Sequence, residues 1–158
     1  ELVLAAVLVK GLELRSSFGY ASAEFVEFTT ISGQDLSGRK LSGIPEWNAS
    51  VGVSYARRFT DNLVWFADIS ADIRDDRLLG ESDATAVSID GYSVADARVG
   101  ITGANDRWEL SLWGTNIFNE LYVTARSNGN AFYPGADVVA FGPPAMFGAT
   151  FRYKFGNR

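Results

Sequence analysis

Six runs of this chain alternate apolar and polar side chains residue by residue, and nowhere do apolar residues recur at helical i, i+3, i+4 spacing. Residues 12–20 set Leu12, Leu14, Phe18 and Tyr20 against Glu13, Arg15, Ser17 and Gly19. Residues 47–57 set Trp47, Ala49, Val51, Val53 and Tyr55 against Asn48, Ser50, Gly52 and Ser54. The same two-residue period organises 63–73, 95–102, 108–117 and 147–155. It predicts strands with one apolar and one polar face. Residues 2–7 fit the end of an earlier strand, which brings the expected total to seven. Val64, Phe66 and Trp113 break the pattern as apolar residues on the polar parity.

Charge tests the parity independently, because the apolar faces are defined by aliphatic and aromatic residues alone. Of the ten charged residues in the six runs, nine fall on the polar parity: Glu13, Arg15, Asp68, Asp72, Asp96, Arg98, Glu109, Arg152 and Lys154. The exception, Arg57, stands at a strand end, where a long side chain can reach an interface. A Lys or Arg held against lipid at mid-bilayer costs about 2–4 kcal/mol, so a lipid-facing sheet requires this segregation. A soluble sandwich segregates charge as well, and parity alone leaves both readings open.

Run lengths and connections separate them. Five of the six runs span nine to eleven residues, the length with which a tilted strand crosses a bilayer, whereas ordinary strands average about 5–6 residues. The connections alternate strictly: 8–11, 58–62 and 103–107 are short, while 21–46, 74–94 and 118–146 are long. Outer-membrane barrels alternate in this way, with tight periplasmic turns and longer external loops. The four prolines avoid strand interiors, and turn formers gather in the long connections, at 32–35, 80–83 and 127–130. No apolar run is long enough for a transmembrane helix. The chain opens without Met, basic leader or cleavage site and reads as entered midway.

Composition excludes several classes of chemistry. The 158 residues include no Cys and no His, which removes disulfides, thiolate chemistry and any histidine base or ligand. A net charge of −5 with no basic stripe excludes nucleic acid as a partner. No nucleophile–base constellation and no phosphate-binding glycine loop is present, so neither an enzyme nor a cofactor is expected. Asp75, Asp76, Glu81 and Asp83 match no calcium-loop spacing and read as solvated charge. Asn48-Ala49-Ser50 matches a glycosylation acceptor by chance, inside a strand.

Two groups of residues remain as candidates for binding. Asp68, Asp72, Asp96 and Arg98 would face the lumen, as contacts for ligand or for a domain inside it, or as cross-strand ion pairs of a solvated wall. Tyr122, Arg126, Phe132 and Tyr133 in the last long connection would capture a flat or sugar-like ligand, or pack neighbouring loops together.

Residues 108–122, Trp-Glu-Leu-Ser-Leu-Trp-Gly-Thr-Asn-Ile-Phe-Asn-Glu-Leu-Tyr, resemble the penultimate strand and following loop of TonB-dependent outer-membrane receptors. Ile117 and Asn119 stand where that pattern has Leu and Asp. Gly142-Pro143-Pro144 followed by residues 147–155 resembles the family's closing strand, although Gly156, Asn157 and Arg158 extend past the terminal aromatic. Lys10 to Leu14 and Ile44 to Asn48 fall where the family has a turn and a strand entry. The resemblance implies an antiparallel transmembrane β-barrel of about 22 strands around an N-terminal plug, of which this chain supplies the last seven. It implies uptake energised through TonB, with an iron–siderophore complex as the leading ligand and a vitamin or glycan as others. It also implies outer-membrane lipid, the plug, the remaining strands and the barrel-assembly machinery as partners, the last reading Phe151, Tyr153 and Phe155. A passive porin-type barrel and a soluble β-sandwich binding module are the alternatives.

Overall fold

A computed structural model describes residues 1–79, 87–103, 105–130 and 133–156, with backbone only at 127–130 and 133–137. Seven long strands form one antiparallel sheet: β1 (Leu2–Val9), β2 (Leu12–Tyr20), β3 (Trp47–Thr60), β4 (Leu63–Arg74), β7 (Tyr92–Gly103), β8 (Trp108–Thr115) and β11 (Met146–Tyr153). Each pairs with the next in that order. At about 3.3 Å per residue, the twelve residues of β4 or β7 rise roughly 40 Å. A tilt of about 40° brings that to the ~30 Å of a hydrocarbon core.

The register carries the two parities across the whole sheet. One row runs Ala6, Leu14, Val53, Ile69, Ala97, Gly114, Phe147, and the next Leu12, Tyr55, Ala67, Val99, Leu112, Ala149. Both belong to a continuous apolar face. The opposite face carries the row Glu13, Ser54, Asp68, Arg98, Trp113, Gly148 and the row Arg15, Gly52, Ser70, Asp96. A slip of one residue anywhere would exchange the faces.

Nothing among the described residues covers the apolar face. Leu112 and Phe147 are 59 % and 71 % exposed, and among the described residues the buried hydrophobic ones are Leu36 and Ile89, both outside the seven long strands. A soluble sandwich would bury its apolar rows under a second layer; this sheet has none. Its edges, β1 and β11, do not pair with each other, so the barrel is not closed within the chain.

The long strands overrun the sequence-based boundaries at β1, β3 and β7, while β8 and β11 stop two residues early, at Thr115 and Tyr153. β8 stops because Asn116 takes a left-handed backbone, φ 48°. The long connections are also more ordered than turn formers alone suggest. Two carry hairpins: β5 (Arg77–Leu79) with β6 (Val87–Ile89), and β9 (Val123–Asn130) with β10 (Tyr133–Phe141). The third, 21–46, is an irregular ladder with bridges Glu24–Lys40 and Thr29–Asp35, closed around the fully buried Leu36. Residues 80–83, read as turn formers, lie outside the described residues, and Glu81 and Asp83 with them.

Candidate functional site: an inner wall and a braced loop rim

Two large rings on the polar face stand over glycines of the neighbouring strand. Phe66 lies against Gly100, where an added Cβ would come within 2.5 Å of the ring. Trp113 lies against Gly148, where the same Cβ would meet the indole at 2.4 Å. Its ring N–H also donates to Thr150 Oγ1 at 3.1 Å. Two of the three parity exceptions are thereby explained: each ring lies flat over a neighbouring strand that presents no side chain.

Arg98 illustrates how the wall arranges its charge. Asp68 stands directly opposite on β4, yet the guanidinium passes 5.0 Å from the Phe66 ring centroid and pairs with Glu109. Glu109 also faces Arg152, at 3.9 Å. Arg15 bonds Glu13 on its own strand at 3.0 Å. Asp68 is left without an ion pair among the described residues. Asp96 accepts one hydrogen bond, from the Asn116 backbone N–H at 2.9 Å. Asp72 stands exposed on the same face, opposite Val94. Between Arg15, Asp68, Asp96 and Trp113 the wall is indented by a recess of about 410 Å³, floored by Gly52, Ser54 and Ser70. Arg98 lines the same recess, so two cations and two carboxylates surround small residues there, an arrangement suited to a polar group with both donors and acceptors.

The long connections form a second assembly, stitched together at the rim. Gly43 N–H donates to Leu78 O at 2.7 Å, joining the first connection to the β5–β6 hairpin. Arg77 donates to Thr124 O at 2.6 Å, joining that hairpin to β9. Tyr92 and Tyr122 stack at 4.3 Å, and the Tyr122 ring fills the space above Gly142, within 1.9 Å of where a Cβ would stand. Beside this stack, Asp90, Glu120 and Arg126 border a recess of about 230 Å³. That is smaller than the roughly 300–1,000 Å³ of a small-molecule pocket.

Asn116 ties rim to wall, a role the alternation pattern does not reveal. It is buried, and its side-chain amide donates to Glu120 O at 2.9 Å and Pro143 O at 3.0 Å. Its Oδ1 accepts from Glu120 N–H at 2.8 Å. Asn119, also left-handed at φ 53°, accepts from Ala145 N–H at 3.0 Å. The Asn-Ile-Phe-Asn motif is therefore a clasp that closes the β8–β11 connection on itself.

The remaining candidates are dispersed. Arg126 lies exposed on β9, and the Tyr133 backbone pairs with Asn130; Phe132 lies outside the described residues. Phe151 and Tyr153 project from the apolar face of β11, and Phe155, just beyond the strand, meets Tyr153 edge-on at 4.7 Å. Among the described residues no cluster of acidic side chains is arranged to hold a metal ion.

A family model described as "TonB dependent receptor-like, beta-barrel" matches residues 3–117, from β1 to just past β8. No curated protein and no solved structure matches the chain.

Proposed function

The chain belongs to the TonB-dependent receptor β-barrel family, and on that footing we propose that it is the C-terminal portion of an outer-membrane barrel of about 22 strands that takes up a scarce ligand with energy delivered through TonB. An iron–siderophore complex is the leading ligand. The observation that carries the reading is the uncovered apolar face, continuous across seven strands and backed by a polar, indented wall. A chain with so little apolar burial gains its stability from hydrocarbon outside the sheet.

In this reading the long connections face the exterior, the short turns the periplasm, and the polar face the lumen. Asp68, Asp72, Asp96 and Arg98 contact a plug supplied by the N-terminal part of the receptor. Tyr122, Arg126, Phe132 and Tyr133 belong to the external ligand-capturing surface. Phe151, Tyr153 and Phe155 present the closing strand to the barrel-assembly machinery. The test is uptake of radiolabelled ferric siderophore by iron-starved cells expressing the full receptor. Accumulation should stop when TonB is deleted or the proton gradient is collapsed. Uptake that persists without TonB would assign the chain to a passive barrel instead.

A further inference from the structure

The two ends of the sheet carry opposite charge. The three long connections between the seven strands (21–46, 75–91 and 116–145) hold eleven acidic residues against four basic ones. At the short-turn end the sign reverses: Lys10, Arg57, Arg58, Arg107 and Lys154 stand against Asp61 and Asp106. Three of those cations gather at one corner. Gly11, at φ 87°, accepts the Ala56 N–H at 2.8 Å, which lays the β1–β2 turn carrying Lys10 alongside the end of β3. Arg57 follows Ala56 and Arg58 follows Arg57.

Arg57 is the one charge on the apolar parity. It is exposed and stands opposite Trp65, whose ring meets Tyr55 edge-on at 5.1 Å. Phe59, two residues on, is 75 % exposed. None of Lys10, Arg57 and Arg58 has an ion pair among the described residues, nor has Asp61 in the adjoining turn. An outward cation without a carboxylate, set in a belt of aromatic rings at a strand end, lies at the level of lipid headgroups.

We propose that Lys10 and Arg57 form a docking site for the phosphate of an anionic phospholipid in the leaflet at the short-turn end, while Arg58, opposite Val64, stands on the other face of β3. Arg57 grips the phosphate oxygens, Lys10 adds a second charge, and Tyr55 and Trp65 flank the glycerol and upper acyl region. The inference rests on the membrane orientation proposed above.

The full receptor, purified in non-ionic detergent with equal phosphatidylglycerol and phosphatidylethanolamine, would be examined by native mass spectrometry for retained lipid. Wild type should favour phosphatidylglycerol, and each cation removed by Arg57→Gln or Lys10→Gln should lower that preference about fivefold. Arg57→Lys should retain most of it. Lys40→Gln, at the opposite rim, should leave it unchanged, as should millimolar inorganic phosphate. Equal retention by the Arg57→Gln/Lys10→Gln pair overturns the proposal. So does an equal loss in Lys40→Gln, which would indicate bulk charge, or displacement by inorganic phosphate, which would indicate a free-anion site. Heat-modifiable electrophoretic mobility of each variant reports the folded barrel separately. Its loss in wild type would refute the membrane reading itself, whereas intact mobility without lipid preference refutes only the docking site.

Discussion

Replacing Gly148 with Ala should be costly only while Trp113 is present. The new methyl would lie 2.4 Å from Cζ2 and 2.7 Å from Cε2 of the indole, and all three nearest atoms belong to that one ring. The ring must leave its place and give up its bond to Thr150. Overpacking of this kind costs about 1–3 kcal/mol, and the lost hydrogen bond about 0.5–1.5 kcal/mol. The single substitution should therefore destabilise the folded receptor by roughly 2–4 kcal/mol. With Trp113→Ala already made, the obstruction is gone, and Gly148→Ala should be neutral or stabilising by about 0.5–1 kcal/mol, the usual gain on replacing a strand glycine. The assay is urea unfolding of the detergent-folded receptor, followed by heat-modifiable mobility, for wild type, both singles and the double. A coupling energy of about 2 kcal/mol or more is expected; additivity within about 0.5 kcal/mol would refute the ring-over-glycine account.

Asn116→Ala removes three side-chain hydrogen bonds from a buried site and should cost about 2–4 kcal/mol, with new protease sensitivity between 117 and 145 as the readout. Leu112→Arg should destabilise by about 2–4 kcal/mol at mid-membrane, whereas Ser54→Arg, on the polar face, should cost under about 1 kcal/mol in the same unfolding assay. Ser37 donates both its hydroxyl and its backbone N–H to Asp35, which holds that carboxyl below the ordinary Asp value. The ordering of that turn is thus complete above this value and lost as pH falls through the lowered one, so Ser37 amide exchange should accelerate only in strong acid. Asp35→Asn should accelerate it at neutral pH as well. Changing Phe151, Tyr153 and Phe155 together to Ser should reduce the receptor's abundance in the outer membrane, measured by quantitative immunoblot; normal insertion would remove them as an assembly signal.

The seven long strands were legible because each residue of a half-immersed sheet faces one of two solvents, and that choice is written at period two. Val123 to Arg126 alternate for only four residues and Val138 to Phe141 are apolar throughout, so neither carries the long two-sided pattern, and β9 and β10 form a sheet of their own. Asn116 was visible as part of a family motif, but its work was not. Its partner Pro143 lies 27 residues away, and only the turn-back of the chain brings them together. Phe66 and Trp113 looked like violations because period two records which face a side chain occupies, not what the neighbouring strand offers beneath it.

Arg98 marks the limit of register as a guide to charge. A directly opposed Asp and Arg invite a cross-strand pair, and Asp68 and Arg98 are opposed. The pair does not form because the guanidinium finds a better position farther along: the Phe66 face beneath it and, beyond that ring, a carboxylate of which only 20 % is exposed. Pairing at the less hydrated site weakens solvent screening, and the aromatic face adds about 0.5–1 kcal/mol. The consequence reaches past Arg98. With its opposite cation drawn toward the short-turn end, Asp68 is left without an ion pair among the described residues, and Asp96 accepts a backbone N–H instead of a cation. The recess is therefore lined by both signs, Asp68 and Asp96 with Arg15 and Arg98, rather than by a pair closed in register.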